Sequence, residues 1–323
     1  MWTAVVLGSL VLGGLAAYGA WGAHAVARGA SVLPFVIGLP LVYLAVPFVF
    51  TCLWFTLAWA FRAERPDDIQ LTAAARLRLF ANEFWALAKS APRMIGYRYL
   101  MRDPDSAPAE LPVLLVHGVG CNAGVWFPFR RSLEHRAIGP VYALSYGPPL
   151  ASIEHFAEQL AVKVDAVRKA TGSTQVVLVA HSMGGLISRA YLRRFGGTYI
   201  RRLITIGTPH QGSKHAYLMG GRGLSEMRPG SAWLTDLNRE GESTTDGVSV
   251  VSLWSWHDSM VTPQTSSLLE GAENIALTGI GHNALLNDPE VFARVAAEIE
   301  RAGGARPTSE FPASAARMPS ARA

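Results

Sequence analysis

The densest grouping of reactive and turn-forming residues lies in Val176-Val-Leu-Val-Ala-His-Ser-Met-Gly-Gly185. An apolar, β-branched run leads into Ser182. Small residues stand two before and two after it (Ala180 and Gly184), and the following LISRAYLRRF has helical spacing. A serine at so sharp a strand-to-helix turn is pushed outward, and only small neighbours let the two backbones approach that closely. The turn also sets the amides of the helix N-terminus beneath the hydroxyl, where they favour developing negative charge. The chemistry this predicts is nucleophilic attack by Ser182 on a carbonyl.

A serine hydroxyl is a weak nucleophile, so it needs a base to take its proton and an acid to orient that base. Around a turn of this kind the chain order is serine, acid, histidine. His210, His215, His257 and His282 follow Ser182. Of these, His282 in GIGHNALL lies beyond the last strand-like run, whereas His210 comes too early and His257 is still joined to the preceding strand. Asp258, in WSWHDSMVTP, ends a strand-like run and is the expected acid. Asp236 and Asp246 lie in a polar, Gly-rich excursion, and Asp288 in NDPE reads as a helix N-cap. An oxyanion needs two aimed donors. The expected pair is the amide of Met183 and the amide of Val119, in the loop after VLLVHG where Gly118 and Gly120 permit a tight turn. His117 reads as a structural hydrogen-bonding residue. Trp126 and Phe127, soon after that loop, read either as lining the pocket entrance or as core, and Met227 and Trp233, in the later excursion, either as acyl-pocket residues or as part of a surface helix buried on the sheet. No metal site or cofactor motif is legible, and the separation of Cys52 from Cys121 argues against a mutual disulfide.

The elements that must hold these residues begin at Pro112. VLLVHG, VYALSYG, QVVLVAHS, RRLITIGTP, VSVVSLWSWHD and ENIALTGIGH are short runs rich in β-branched and aromatic residues. Between the second and third, Ile153, Phe156, Leu160, Val164 and Val167 mark one face of a helix closed by Gly172. Strands alternating with helices predict an α/β domain with a parallel sheet over residues 111–302, and the tail at 303–323 reads as disordered.

The front of the chain is different. Only 16% of the 323 residues are charged, against about 25% in an average soluble domain. Trp2–Trp21 and Val32–Phe61 carry no formal charge at all. Each run meets the requirement of about 20 apolar residues to cross a bilayer, which excludes an ordinary soluble chain and a disordered one. Residues 1–61 therefore read as a transmembrane helical hairpin. A secretory signal fits less well, because a positive n-region is missing and a second apolar run follows at once. The second run holds Pro34, Pro40 and Pro47, which a membrane helix tolerates with kinks, and its helix is expected to start late, near Leu41. Within residues 62–110, the stretch 69–90 sets Leu79, Phe80, Phe84 and Leu87 at helical spacing with basic residues between. They predict an amphipathic helix lying on the bilayer or on the next domain, followed by the Pro-rich linker DPDSAPAELP. The arginines and lysine from Arg62 to Arg102 far outnumber the single Arg28 between the runs. This predicts a two-pass inner-membrane protein with its large domain cytoplasmic, unless those cations merely coat a folded helix. The net charge of +5 suits a membrane surface better than nucleic acid, for which no recognition motif is present.

Taken together, LLVHGVG, LVAHSMGGLISR, TIGTPHQGS and the Asp258 and His282 segments resemble the bacterial lipase/esterase branch of the α/β-hydrolases, over roughly residues 111–300. The resemblance implies an α/β-hydrolase fold with a cap or lid at about 210–246. It also implies a Ser182–His282–Asp258 triad acting through an acyl-enzyme, an acyl ester or lipid substrate, and no cofactor. Ala180 departs from the broad pattern, which has Gly there, but lipases carrying AHSMGG share it. Some such lipases hold calcium, for which no ligand set is evident here. An acyltransferase or thioesterase would use the same residues, and a non-catalytic membrane binding module would use the same fold.

Overall fold

The computed structural model describes residues 2–218, 220–239 and 247–304. Two long apolar helices open the chain, α1 (Trp2–Ala27) and α2 (Leu33–Ala60), followed by α3 (Ala73–Ile95) and the single turn α4 (Tyr97–Leu100). The α/β unit then runs β1 (Val113–Val116), α5 (Phe127–His135), β2 (Val141–Leu144), α6 (Ile153–Thr171), β3 (Val176–His181), α7 (Met183–Phe195) and β4 (Ile200–Ile206). It continues through α8 (Arg222–Glu226), α9 (Ala232–Arg239), β5 (Ser249–Ser255), β6 (Glu273–Leu277) and α10 (Pro289–Ala302).

Among the described residues six strands pair in parallel, in the order β2-β1-β3-β4-β5-β6. Parallel strands joined by crossover helices are buried on both faces, so they read as continuous apolar runs. In β1, Leu114 and Val116 face a layer built by α6, α7, α8 and α9, while Val113 and Leu115 face α3, α5 and α10. The strand order reverses between β1 and β3, and in open α/β sheets the crevice at such a switch point, beyond the carboxyl ends of the strands, is where ligands bind. The loop after β1 and the turn after β3 meet there.

Local signals set the helix ends. Ser152 caps α6 by accepting from the His155 amide, and Gly172 ends it in the left-handed region at φ 69°. Asp288 caps α10 as expected, accepting from the amides of Glu290 and Val291.

Two expectations are corrected. Helix α2 starts at Leu33 rather than near Leu41. Pro34 sits in its first turn, where a missing N–H costs nothing, and Pro40 and Pro47 are carried inside the helix. The amphipathic helix begins at Ala73, capped by Thr72, and extends through Pro92 to Ile95. Its apolar stripe meets α2 as well as the sheet: Phe48 packs edge-on to Phe80 and Phe84, and the Tyr43 hydroxyl donates to the Ala88 carbonyl. Both α2 and the Gly8–Ala27 part of α1 are long and apolar enough to cross a membrane. Thr51, Trp54 and Ala58 form the stripe of α2 buried in the fold. The expected disordered tail falls, from residue 305 on, outside the described residues.

Candidate active site

Ser182 stands between β3 and α7 with φ 56° and ψ −129°, a conformation rarely adopted by a residue with a Cβ and typical of strain held at a functional turn. The close approach that enforces it is visible at Gly184, where a Cβ would lie 2.4 Å from the Val116 carbonyl oxygen. Ala180, two residues before, is fully buried. The Thr208 hydroxyl donates to the Ser182 carbonyl at 2.9 Å and ties the turn to the loop after β4.

Asp258 follows β5 and His282 follows β6, and neighbouring strands bring them together. His282 Nδ1 lies 2.8 Å from Asp258 Oδ2, with both side chains buried. A carboxylate can only accept, so Nδ1 carries the proton and Nε2 remains the basic nitrogen. Asp258 Oδ1 accepts from the amides of Met260 and Val261, both at 2.7 Å, which fixes its plane. Burial disfavours the His282 imidazolium, yet the charge and hydrogen bond of Asp258, helped by Glu83, outweigh it and raise the His282 pKa. Burial pushes His117 and His215 down to about 4. His181 is also held well below its usual value, by burial and then by His282.

Ser182 and His282 line one small pocket with Val119, Met227, His215 and Trp54. Val119 thus borders the serine, and the Tyr146 hydroxyl braces its loop through the carbonyls of His117 and Gly118 at 2.8 and 2.9 Å. Met183 is the first residue of α7, directly after the serine. Of the four candidate pocket residues, only Met227 lines this space. Trp126 is fully buried among the side chains on the α3–α5–α10 face, and Phe127 packs beside it. They belong to the sheet face opposite the one carrying Met183 and Met227. Trp233 packs at the margin of the α6–α9 layer and donates to Glu154 at 2.8 Å. In the expected lid, Leu224 and Met227 are buried against the α6–α7 layer, while Leu218 is exposed. Met219 and residues 240–246, including Asp246, lie outside the described residues.

Two participants escaped the sequence. Trp54 comes from α2, with its ring centroid 5.3 Å from that of His215. It also borders a crevice of about 470 Å³ between α1, α2 and α3, lined by side chains such as Val46, Phe50 and Leu87. Glu83, fully buried in α3, accepts from Ser259 Oγ at 2.6 Å, from the Asn283 amide at 3.0 Å and side chain at 2.9 Å, and from the Ala284 amide at 2.9 Å. It therefore clamps the segments just after both Asp258 and His282. A lone carboxylate at an amphipathic-helix position gives no sign of this in the sequence. Its burial beneath a distant loop is a tertiary fact.

Comparison with solved structures places this architecture. The mature form of a Bacillus licheniformis lipase superposes with a TM-score of 0.53 at 18% identity, over 61% of this chain and 96% of that one. The chain adopts the α/β-hydrolase fold. Aspergillus fumigatus lipase B gives a TM-score of 0.52 at 19% identity, over 59% of this chain and 52% of that one. A family model described as a PGAP1-like alpha/beta domain matches residues 152–284, from the start of α6 to just beyond His282. Curated triacylglycerol lipases of Pseudarthrobacter phenanthrenivorans and Burkholderia plantarii are each 36% identical over 117 residues. The matched segment is 34% of this chain and spans about a third of the length of those relatives, 36% and 32% respectively.

Proposed function

We propose that this α/β-hydrolase is a membrane-anchored serine carboxylic ester hydrolase acting on lipid or medium-to-long acyl esters. The observation that carries the reading is the convergence on one pocket of a strained serine and a histidine whose Nδ1 is held by a buried carboxylate. In this mechanism Ser182 Oγ attacks the ester carbonyl while His282 Nε2 takes its proton. Asp258 keeps the imidazole in that tautomer and supports the imidazolium. The amides of Val119 and Met183 stabilise the tetrahedral oxyanion. The C–O bond to the alcohol then breaks, with the alcohol leaving on the proton held by His282. Water, deprotonated by the same nitrogen, releases the acid from the acyl-enzyme and restores Ser182. In this reading residues 1–61 form the anchor, 62–110 the juxtamembrane segment and 111–302 the catalytic domain, and the basic flank of α2 supports a cytoplasmic side for that domain. What supports an apolar substrate is the Trp54 wall and the crevice beyond it.

The test is hydrolysis of a chromogenic ester series of rising acyl length by the detergent-purified chain and its Ser182→Ala variant, with fluorophosphonate labelling of both. Labelling and hydrolysis that vanish in the variant, with a maximum at medium or long chains, are expected. Full activity in Ser182→Ala sinks the mechanism, and a maximum at the shortest esters sinks the lipid assignment.

A further inference from the structure

Apart from the Ser182 pocket, a cavity of about 380 Å³ lies where α2 ends and α3 begins. Its lining combines apolar Phe55, Leu79 and Phe80 with the cations Arg62, Arg65 and Arg76. Three cations in one cavity repel one another and require compensation, yet among the described residues no carboxylate lies within ion-pairing distance of any of them. Arg62 donates to the Trp59 carbonyl at 2.6 Å and lies over the Trp59 ring, and Arg76 donates to the Leu71 carbonyl at 3.1 Å. The Nε of Arg65 is buried with no acceptor at all. Asp258 also borders the cavity, but both its oxygens are taken, one by two amides and the other by His282. His257, on the same wall, offers no negative charge. Burial, with Arg65 and Arg76 adding to it, holds its pKa down at about 4. The Arg65 guanidinium is itself depressed, by burial first and then by Arg62 and Arg76.

We infer that this cavity binds the phosphate of an anionic phospholipid. Forked guanidinium donors match phosphate oxygens in pairs, and an orphaned buried donor is satisfied when such an oxygen reaches it. The lipid source follows from position. The cavity straddles the point where the apolar stretch Leu33–Ala60 gives way to arginine, which in a spanning helix is the depth of the headgroups. Phe55, Leu79 and Phe80 line the same cavity as the cations and offer apolar surface to the glycerol and upper acyl carbons of such a lipid. The lipid assignment rests on the proposed anchoring, whereas the phosphate site does not, and neither depends on Ser182 chemistry.

The experiment titrates the full chain in a non-ionic sugar detergent and follows tryptophan fluorescence, to which Trp59 in the cavity contributes. The probes are dihexanoyl-phosphatidylglycerol, dihexanoyl-phosphatidylcholine and inorganic phosphate. Phosphatidylglycerol should bind about tenfold or more tighter than either of the others, and Arg65→Gln should weaken it by about tenfold or more. Arg76→Gln carries the same expectation and is read instead if thermal unfolding shows that Arg65→Gln does not fold. Equal binding of phosphatidylcholine would mean adsorption through the tails and overturns the proposal. Inorganic phosphate binding as tightly as phosphatidylglycerol overturns the lipid source in favour of the free anion. Unchanged affinity in a folded arginine variant overturns the site itself.

Discussion

Replacing Glu83 with alanine removes the acceptor for four donors at once, two of them the backbone amides of Asn283 and Ala284. A buried donor left unpaired costs about 1–3 kcal/mol, so the two amides alone amount to about 2–6 kcal/mol. At about 2–4 °C per kcal/mol for a domain of this size, the unfolding temperature should drop on the order of 10 °C. Glu83→Gln keeps one oxygen but turns an NH₂ towards a remaining donor, so it should cost about 1–3 kcal/mol and fall between wild type and alanine. Because the freed loop carries His282, misplacement of the imidazole should lower kcat on a short soluble ester by about 100-fold with KM little changed. Charge supplies a further readout. Glu83 helps to hold the His282 pKa up, so both variants should move the acid limb of the pH–rate profile to lower pH. The assay is kcat, KM and the pH profile, measured well below each variant's unfolding temperature. A Glu83→Ala protein with wild-type kcat and an unmoved acid limb would refute the clamp.

Other expectations follow from the same geometry. Asp258→Asn removes the main support of the His282 imidazolium, so the acid limb should shift to lower pH while the plateau falls about 10⁴-fold from loss of the correct tautomer; a plateau within tenfold of wild type would contradict this. Gly184→Ala should improve helix propensity by about 1 kcal/mol, but its Cβ would meet the Val116 carbonyl oxygen at 2.4 Å. The clash wins, and a lowered unfolding temperature with impaired Ser182 labelling is expected; a stabilised protein would show that the turn relaxes. His117, His215 and His257 are pushed to about 4, each chiefly by burial. Unfolding lets them take up protons near 6.5, so their stabilising contribution is complete above that pH and is lost progressively as pH falls towards 4. Urea midpoints at pH 7.5, 6 and 5 should decline in that order, and a flat series would count against neutral burial.

The arrangement around Ser182 was legible because its grammar is local: an apolar run, small flanking residues and a helix within ten positions. The six strands were legible for a related reason, since burial on both faces leaves unbroken β-branched runs. For Trp126 and Phe127 the structure decides for core over pocket, because proximity in sequence to the Val119 loop does not say which face of the sheet a short turn will dock against. The start of α2 is not legible from its prolines, because one in the first turn loses no hydrogen bond and the others are carried inside the helix. Glu83 and Trp54 were invisible for a deeper reason. Each reaches the site from an element outside the α/β unit, about 100 or more residues away in the chain, through contacts with no periodic signature.

Trp54 belongs at once to the Ser182 pocket and to the apolar crevice between α1, α2 and α3. The solvent used to extract the protein is therefore a reagent in its assay. A detergent with a straight alkyl tail is shaped to occupy the crevice, competing with the acyl chains whose turnover is being measured. A chain severed after Phe61 would lack the wall altogether and leave the mouth of the pocket open to water. Acyl-length preferences taken from such a fragment would describe a pocket without its Trp54 wall, and those taken in detergent count when the same maximum recurs in detergents of different tail length.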